Sequence, residues 1–182
     1  MNCDCCETLI CLVPLFDNAG KLLVVQEKNG PLRGTGIWKI PTGLLDAKED
    51  IHLASCREVL EETGIETEFL GLLAFRHAHN FQFGKSDLFF VCLLKPLTTN
   101  IVKQESEIAD CEWLSLEKYM SQEYLFASPV YSKLNYFIER IVKDKDPKYY
   151  LERHTLPLGA RPGTNTLYLP LEPSDSIETT LD

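Results

Sequence analysis

Residues 43–65 of the chain are GLLDAKEDIHLASCREVLEETGI, and this stretch decides how the rest of the sequence is interpreted. From Asp50 to Thr63 the apolar residues recur at the spacing of an α-helix. Gly64 follows, and glycine often ends a helix because it adopts the left-handed conformation without a steric penalty. The segment therefore predicts a loop, a helix and a second loop.

The predicted helix carries three glutamates close together. At roughly 100° per residue, Glu58, Glu61 and Glu62 fall within an arc of about 100° on one face. We expect the opposite face to be buried, and it carries Leu53, Cys56 and Leu60. The helix would then bury one side and present a cluster of carboxylates on the other.

Carboxylates at this spacing repel one another, and a bound cation removes that repulsion. Carboxylate oxygens are the ligands that Mg²⁺ and Mn²⁺ prefer, whereas zinc sites are built mainly from cysteine and histidine. Taken alone, three glutamates are also typical of a solvated acidic helix face. The residues around them favour the metal site.

The spacing of the whole segment is specific. It consists of Gly43, five residues, Glu49, seven residues, Arg57-Glu58-Val59, one residue, Glu61-Glu62, one residue and Gly64-Ile65. This pattern resembles the Nudix box at every defining position. Eight or more fixed residues at fixed spacing make a chance match a poor explanation.

The resemblance implies roles by position. It implies a metal site made of one carbonyl and three carboxylates: Gly43, Glu58, Glu61 and Glu62. It also implies that Arg57 orients a neighbouring carboxylate and that Glu49 pairs with Arg57 to hold the loop on the helix. A bidentate arginine fixes the direction of a carboxylate, which gives these two roles a physical basis of their own.

Members of the Nudix family cleave a nucleoside diphosphate linked to another group, and a carboxylate must accept or position the proton of the attacking water. Glu58 is one candidate. Glu107 is the other, because several Nudix subfamilies place such a glutamate on the loop before a Trp-containing strand, and Glu107 precedes Trp113. Alternatively, Glu105 and Glu107 are ordinary loop acids.

Three further residues are candidates for substrate binding. Arg33 and Lys39 flank the segment that enters the box, where they could meet phosphates, although either is also typical of a surface charge. Phe81 and its neighbour Phe83 could stack on a base, although packing within the core or the loop explains them equally well.

The fold implied by the resemblance is the Nudix α/β/α sandwich, with a mixed sheet between helices. Strands are predicted at 8–16 and 21–26, which we expect to form a hairpin across the turn at 17–20. Further strands are predicted at 66–75, 87–94 and 112–114, and helices at 115–120 and 128–143. We expect a flexible N-terminus at 1–7, a Nudix domain at 8–143, and a C-terminal extension at 144–182 that is partly irregular or disordered.

Several stretches are similar to one Nudix group, which contains plant ADP-ribose and NADH pyrophosphatases and the animal antisense-growth-factor Nudix protein. They are residues 34–43 (GTGIWKIPTG), 84–91 (GKSDLFFV) and 103–108 (KQESEI). The resemblance implies Mg²⁺- or Mn²⁺-dependent hydrolysis of ADP-ribose or NADH. The alternatives are hydrolysis of nucleoside triphosphates, including oxidised ones, and a non-catalytic binding or regulatory module.

The composition of the chain limits its expected binding partners and cellular location. A net charge of −9 without a basic stripe argues against broad binding to nucleic acid. No apolar run reaches the length of a membrane span, and seven cysteines fit a reduced protein, so we expect a cytoplasmic location and no membrane partner. The expected partner is a small nucleotide substrate, and a homodimer is possible. The cluster Cys3, Cys5 and Cys6 is expected to be reduced thiols.

Overall fold

The structure is a computed structural model that describes residues 8–12, 14–79, 86–144, 150–157 and 164–170. Within these residues the elements follow one another as β1 Thr8–Leu12, β2 Leu22–Glu27, β3 Thr42–Leu44, α1 Ile51–Thr63, β4 Thr67–Ala78, β5 Asp87–Pro96, β6 Ile108–Leu114, α2 Leu116–Met120, a 3-10 turn Glu123–Phe126, α3 Pro129–Asp144, β7 Leu151–Pro157 and β8 Thr164–Pro170.

The strands form one large mixed sheet and one small sheet. The large sheet has the order β3-β1-β5-β4-β7-β8, and the small sheet pairs β2 with β6. Strands β1 and β5 run parallel, whereas the other neighbours in both sheets are antiparallel.

Helices cover the sheets from two sides. On one side Val59 of α1 packs in a buried cluster with Leu72 and Leu94 of the sheet. On the other side Tyr119 and Ile138, from α2 and α3, pack in a second cluster with residues of β4 and β5. The predicted α/β/α sandwich with a mixed sheet is therefore confirmed.

The prediction that the first two strands form a hairpin is wrong except for the residues next to the turn. A turn follows Phe16, and Leu23 donates its amide to the Leu15 carbonyl at 2.8 Å. Beyond this point the strands separate, because β1 joins β3 and β5 while β2 joins β6. Pro14 interrupts the pairing, since proline has no amide hydrogen for a strand ladder.

The predicted face of α1 is also wrong. Leu53 and Leu60, expected in the core, are 55% and 48% exposed, and Cys56 is partly buried. The buried residues of the helix are Ala54, Ser55, Val59, Glu62 and Thr63. The helix is rotated so that part of its acidic arc points inward, which places carboxylates against the strands rather than in solvent.

The remaining predicted elements are found with small changes at their ends. Strand β6 begins at Ile108, four residues before the predicted start. Ser115 caps α2 by accepting a hydrogen bond from the Lys118 amide, and Pro129 occupies the first turn of α3, as expected.

The described part of the C-terminal extension, which we expected to be partly irregular or disordered, contains two strands. Strands β7 and β8 form a hairpin that continues the large sheet beyond β4. Gly71 of β4 makes this possible, because a Cβ there would lie 2.2 Å from Tyr150 and 2.8 Å from the Leu151 carbonyl. The absence of a side chain at Gly71 thus makes room for a segment some 80 positions later in the chain. Secondary-structure propensities do not predict such a long-range contact.

Some predictions fall outside the described residues, namely those for Cys3, Cys5, Cys6, Phe81, Phe83 and residues 171–182. In the part of the chain that is described, Cys56, Cys92 and Cys111 form no disulfide bond. In that same part, none of the helices combines the length and the apolar character needed to span a membrane.

Replacing Gly64 by alanine tests why glycine is needed at the end of α1, and the same change at Gly20 provides the comparison. Both have a positive φ, 72° and 75°, but a Cβ at Gly64 would lie 2.8 Å from the Val102 Cβ, whereas Gly20 has open space. We expect Gly20→Ala to lower the free energy of unfolding by about 1 kcal/mol and Gly64→Ala by about 2 kcal/mol or more, because only the second adds a clash to the strain. Urea unfolding measures both, and equal losses would contradict this account.

Candidate active site

Arg57 ties the loop before α1 to the helix. Its Nε and Nη2 donate to the two carboxylate oxygens of Glu49 at 2.8 and 2.7 Å, and Nη2 also donates to the Leu44 carbonyl at 2.9 Å. The hydrogen bond from Arg57 lowers the pKa of Glu49, and the same pairing raises the pKa of Arg57. Both groups are therefore charged at neutral pH, and the predicted pairing of Glu49 with Arg57 is present.

The third guanidinium nitrogen of Arg57 reaches two glutamates of the helix. Nη1 donates to Glu58 Oε1 at 2.9 Å and to Glu61 Oε2 at 3.1 Å. Burial raises the pKa of Glu58 despite the opposing effect of Arg57. Arg57 thus contacts two neighbouring carboxylates of α1, and its role in orienting a carboxylate stays a prediction.

Gly43 lies directly against Glu58. A Cβ on Gly43 would lie 1.8 Å from the carboxyl carbon of Glu58, a separation that no side chain tolerates. Glycine at this position allows the loop backbone and the Glu58 carboxylate to sit side by side. These are the two kinds of oxygen donor that the expected metal site requires.

Glu62 is the most deeply buried of the three box glutamates. The residue is 7% exposed, and its Oε2 has no hydrogen-bond partner among the described residues. Burial raises the pKa of Glu62 to about 7, Lys39 opposes this rise, and the negative charges of Glu58, Glu107 and Glu27 add to it. An ionised carboxylate left without hydrogen bonds in such a place is costly, and a cation is the natural means of compensation.

Glu27, at the end of β2, joins the site although the sequence analysis missed it. Lys39 forms an ion pair with Glu27 and donates to the Thr42 hydroxyl at 3.0 Å. The other oxygen of Glu27, Oε2, is buried without a hydrogen-bond partner among the described residues. A charged residue at the end of the strand LLVVQE was the available signal, since strand ends often carry functional side chains.

Glu107 reaches the same place from a distant part of the chain. The Gln104 amide donates to the Glu62 carbonyl at 3.0 Å, and the Lys28 amide donates to the Glu107 carbonyl at 2.7 Å. These bonds fix the loop before β6 between α1 and the end of β2. They leave a cavity of about 420 Å³ lined by Glu27, Asn29, Gly30, Lys39, Thr42, Glu62, Glu107 and Ile108.

The donors in this region fit a hard divalent cation. The unpartnered oxygens of Glu62 and Glu27 are carboxylate oxygens, and so is the Glu58 group beside Gly43. In the described residues, however, no three acidic, histidine or cysteine side chains already surround one metal position. Arg57 holds Glu58 and Glu61, so the 51% exposed Glu61 side chain must turn before it can contribute.

A second cavity of about 250 Å³ adjoins the acidic one and shares Glu27, Lys39 and Thr42 with it. Its remaining lining is largely aromatic and apolar, and includes Phe89, Tyr119, Tyr124, Tyr131, Leu134 and Ile138. Inside it the Tyr119 hydroxyl donates to Asn135 Oδ1 at 3.2 Å, and Asn135 Nδ2 donates to the Leu125 carbonyl at 3.3 Å. Lys39 lies at the junction of an acidic and an aromatic space.

The structure brings together most of the predicted site residues. Glu62, Glu107 and Lys39 line the acidic cavity, and Gly43 and Glu58 are in direct contact beside it. Glu61 and Arg57 lie on the more exposed side of the helix. Arg33 is exposed and is not among the residues that line the two cavities, and Phe81 lies outside the described residues.

The family model of the NUDIX domain matches residues 8–134, which include all of these groups. The chain belongs to the Nudix family. Among its relatives, Nudix hydrolase 2 of Arabidopsis thaliana is 56% identical over 105 residues, which cover 58% of this chain and 38% of the relative. Nucleoside diphosphate-linked moiety X motif 6 of Xenopus laevis is 44% identical over 126 residues, covering 67% and 57%.

These relatives confirm the Nudix group to which the stretches around the box pointed. The chain spans less than two thirds of the length of either relative. A solved NUDIX hydrolase from Nitrosomonas europaea has the same fold, with a TM-score of 0.60 at 21% identity, covering 74% of this chain and 90% of that one.

The buried carboxylate of Glu62 predicts a specific pH dependence of stability. Its pKa in the folded protein, about 7, lies above the ordinary value of 4.5, so the folded state keeps a proton that the unfolded state releases. The stabilisation is complete below pH 4.5 and is lost as the pH rises through 7. In chelator, we expect the unfolding free energy of the wild type relative to Glu62→Gln to fall by about 3 kcal/mol between pH 4.5 and 8. A constant difference across this range would contradict the burial of this carboxylate.

Proposed function

We propose that this chain is a divalent-metal-dependent pyrophosphohydrolase that acts on a nucleoside diphosphate linked to another moiety, with ADP-ribose and NADH as its leading substrates. One observation carries the proposal: Glu62 and Glu27 line a cavity together with Lys39, and each has a buried carboxylate oxygen without a hydrogen-bond partner among the described residues. An aromatic cavity adjoins this one. The carboxylates would bind a cation, Lys39 would bind a diphosphate, and the aromatic cavity would bind a flat organic group.

The metal would be Mg²⁺ or Mn²⁺, because its ligands would be hard oxygens. We propose that it is held by the Gly43 carbonyl together with Glu58, Glu61 and Glu62. When bound, a divalent cation neutralises charge on the diphosphate and lowers the pKa of a water molecule beside it. Arg57 would keep Glu58 directed towards Gly43, and the Glu61 side chain would turn away from Arg57 to reach the metal.

The proton of the attacking water needs an acceptor, and Glu107 suits this role better than Glu58. Glu58 is hydrogen-bonded to Arg57 and lies against Gly43, which suits a metal ligand. Glu107 lines the acidic cavity from a separate loop and faces the space that a substrate would enter. A general base must come within hydrogen-bonding distance of the water, directly or through another water.

Lys39 would contact a phosphate of the substrate at the junction of the two cavities. Among the described residues that line either cavity, Lys39 is the only cationic one. The aromatic cavity would hold the base or the second moiety, because tyrosine rings stack on flat heterocycles. The group resemblance supports ADP-ribose and NADH as the compounds to test first.

Three wider features are part of the same proposal. Residues 8–143 would form the hydrolase domain, which contains the matched residues 8–134 and extends to the end of α3. A cytoplasmic location is proposed because disulfides are rare in that compartment, and the cysteines of the described residues form none. The homodimer stays a prediction, and so does the lack of a nucleic-acid partner.

Glu61→Gln tests the metal site. The change removes a ligand charge but little volume, so we expect kcat to fall by about two orders of magnitude or more while the fold is kept. Glu68→Gln is the matched control, because Glu68 is an exposed glutamate on β4, away from the cavities. Initial rates with Mg²⁺ and with Mn²⁺ measure the effect. Unchanged turnover in the first variant would count against the site.

Tyr131→Ala tests the aromatic cavity. Loss of a stacking ring is worth about 1–3 kcal/mol, so we expect KM for ADP-ribose to rise about tenfold with kcat nearly unchanged. Tyr136→Ala is the control, because Tyr136 lies on the same helix but not among the residues lining the cavity. An equal change of KM in the two variants would contradict binding of the substrate in the aromatic cavity.

A substrate panel with product analysis in isotopic water tests the reaction itself. The panel contains ADP-ribose, NADH, nucleoside triphosphates and oxidised nucleotides. We expect AMP among the products of the ADP-linked compounds, and the isotope identifies the phosphorus attacked. If only the triphosphates are hydrolysed, the chain is a nucleoside triphosphate pyrophosphohydrolase and the leading substrates are wrong.

A further inference from the structure

The C-terminal hairpin lies outside the residues matched by the family model, yet it packs against the loop and helix of the active site. The family match ends at residue 134, and the hairpin comprises β7 and β8. Gly71 of β4 leaves room for Tyr150 and Leu151 to approach the sheet. The main domain therefore has a position shaped for the hairpin.

A chain of aromatic contacts connects the hairpin to α1. The ring of Tyr168 in β8 meets Phe69 edge-to-face, with centroids 6.2 Å apart, and Phe69 meets His52 in the same manner at 6.0 Å. Tyr168 and Leu151 pack on the same buried cluster as Val59 of α1. The hairpin thus shares its core with the helix that carries the box glutamates.

A polar contact reaches the residue at which this helix begins. Thr166 donates its hydroxyl to Asp50 Oδ2 at 3.2 Å. Asp50 is the N-cap residue of α1, but its side chain makes no capping hydrogen bond within the helix. The N-cap carboxylate is instead directed to the C-terminal hairpin, which fixes the helix start from outside.

The next residue back along the chain is Glu49, which binds Arg57. A cavity of about 430 Å³ separates the box loop from β8, with Glu49, Asp50 and Ile51 on one side and Thr164, Thr166 and Tyr168 on the other. The hydrogen bond from Thr166 to Asp50 spans this gap at one edge. Any movement of Asp50 would be passed through Glu49 to the guanidinium that orients Glu58 and Glu61.

We infer that the C-terminal hairpin is a positioning element of the active site, in which Thr166 and Tyr168 hold the start of α1 so that Glu49 keeps Arg57 directed at the metal-binding carboxylates. Thr166 touches no substrate and acts through Asp50, Glu49 and Arg57. The inference rests on one part of the proposed function, namely that Glu58 and Glu61 bind the metal.

Thr166→Val tests the inference, because valine keeps the shape of threonine and removes the hydroxyl. Losing one hydrogen bond to a charged group that orients the metal site should weaken Mn²⁺ binding about fivefold, with the same shift in the Mn²⁺ concentration for half-maximal hydrolysis. Thr166→Ser keeps the hydroxyl and should bind Mn²⁺ as the wild type does. Electron paramagnetic resonance titration measures the binding without turnover.

Leu167→Ala is the matched control on the opposite face of the same strand, where side chains alternate. It should lower Tm without changing Mn²⁺ affinity, as a purely structural role predicts. The inference is overturned if Thr166→Val binds Mn²⁺ like the wild type, or if Leu167→Ala weakens binding to the same extent. A wild type that binds Mn²⁺ but hydrolyses nothing in the panel would instead refute the proposed function.

Gly71→Ala provides a second test by a different route. Its added Cβ would displace Tyr150 and Leu151 and so release the hairpin from the sheet. We expect faster proteolysis near β7, and Mn²⁺ affinity reduced about tenfold or more, because the whole element is displaced. A folded variant whose hairpin is cleaved rapidly, yet whose Mn²⁺ affinity is that of the wild type, would overturn the inference.

Discussion

One guanidinium group, that of Arg57, connects the loop before α1 to the acidic turn of the helix. It donates to Glu49 and the Leu44 carbonyl on the loop, and to Glu58 and Glu61 on the helix. Because the group is planar and rigid, its hydrogen bonds fix directions as well as distances. The loop that carries Gly43 can therefore lie against Glu58 while like-charged carboxylates stay close together.

The site nevertheless keeps an excess of negative charge. In the described parts of the chain, Arg57 and Lys39 are the cations paired with its carboxylates, which are those of Glu27, Glu49, Glu58, Glu61, Glu62 and Glu107. The raised pKa of Glu62 is a direct result of burial among these charges. A divalent cation would remove the imbalance and also reverse the local field, which explains how a chain of net charge −9 could hold an anionic diphosphate.

The orientation of α1 shows what a helical pattern leaves undecided. The arc formed by Glu58, Glu61 and Glu62 follows from their spacing alone, but the side that the protein buries does not. Small residues such as Ala54 and Ser55 pack against the strands, and Glu62 is buried with them, while Leu53 and Leu60 face solvent. The helical pattern gives the relative directions of these side chains, and packing against the strands decides which of them are buried.

The sequence by itself determined the local parts: the helix from its periodicity, its end from Gly64, and the pairing of Arg57 with Glu49 and with a neighbouring carboxylate. These groups lie within one short segment, where spacing along the chain fixes spacing in space. Only the tertiary structure decided that Glu27 and Glu107 share a cavity with Glu62, and that β7 and β8 reach the start of α1. Those contacts join residues 35 to 116 positions apart. They depend on which strands pair and on the close approach of Tyr150 and Leu151 to Gly71. Local sequence patterns do not specify these contacts, because loop closure and packing select one arrangement from many possible strand pairings.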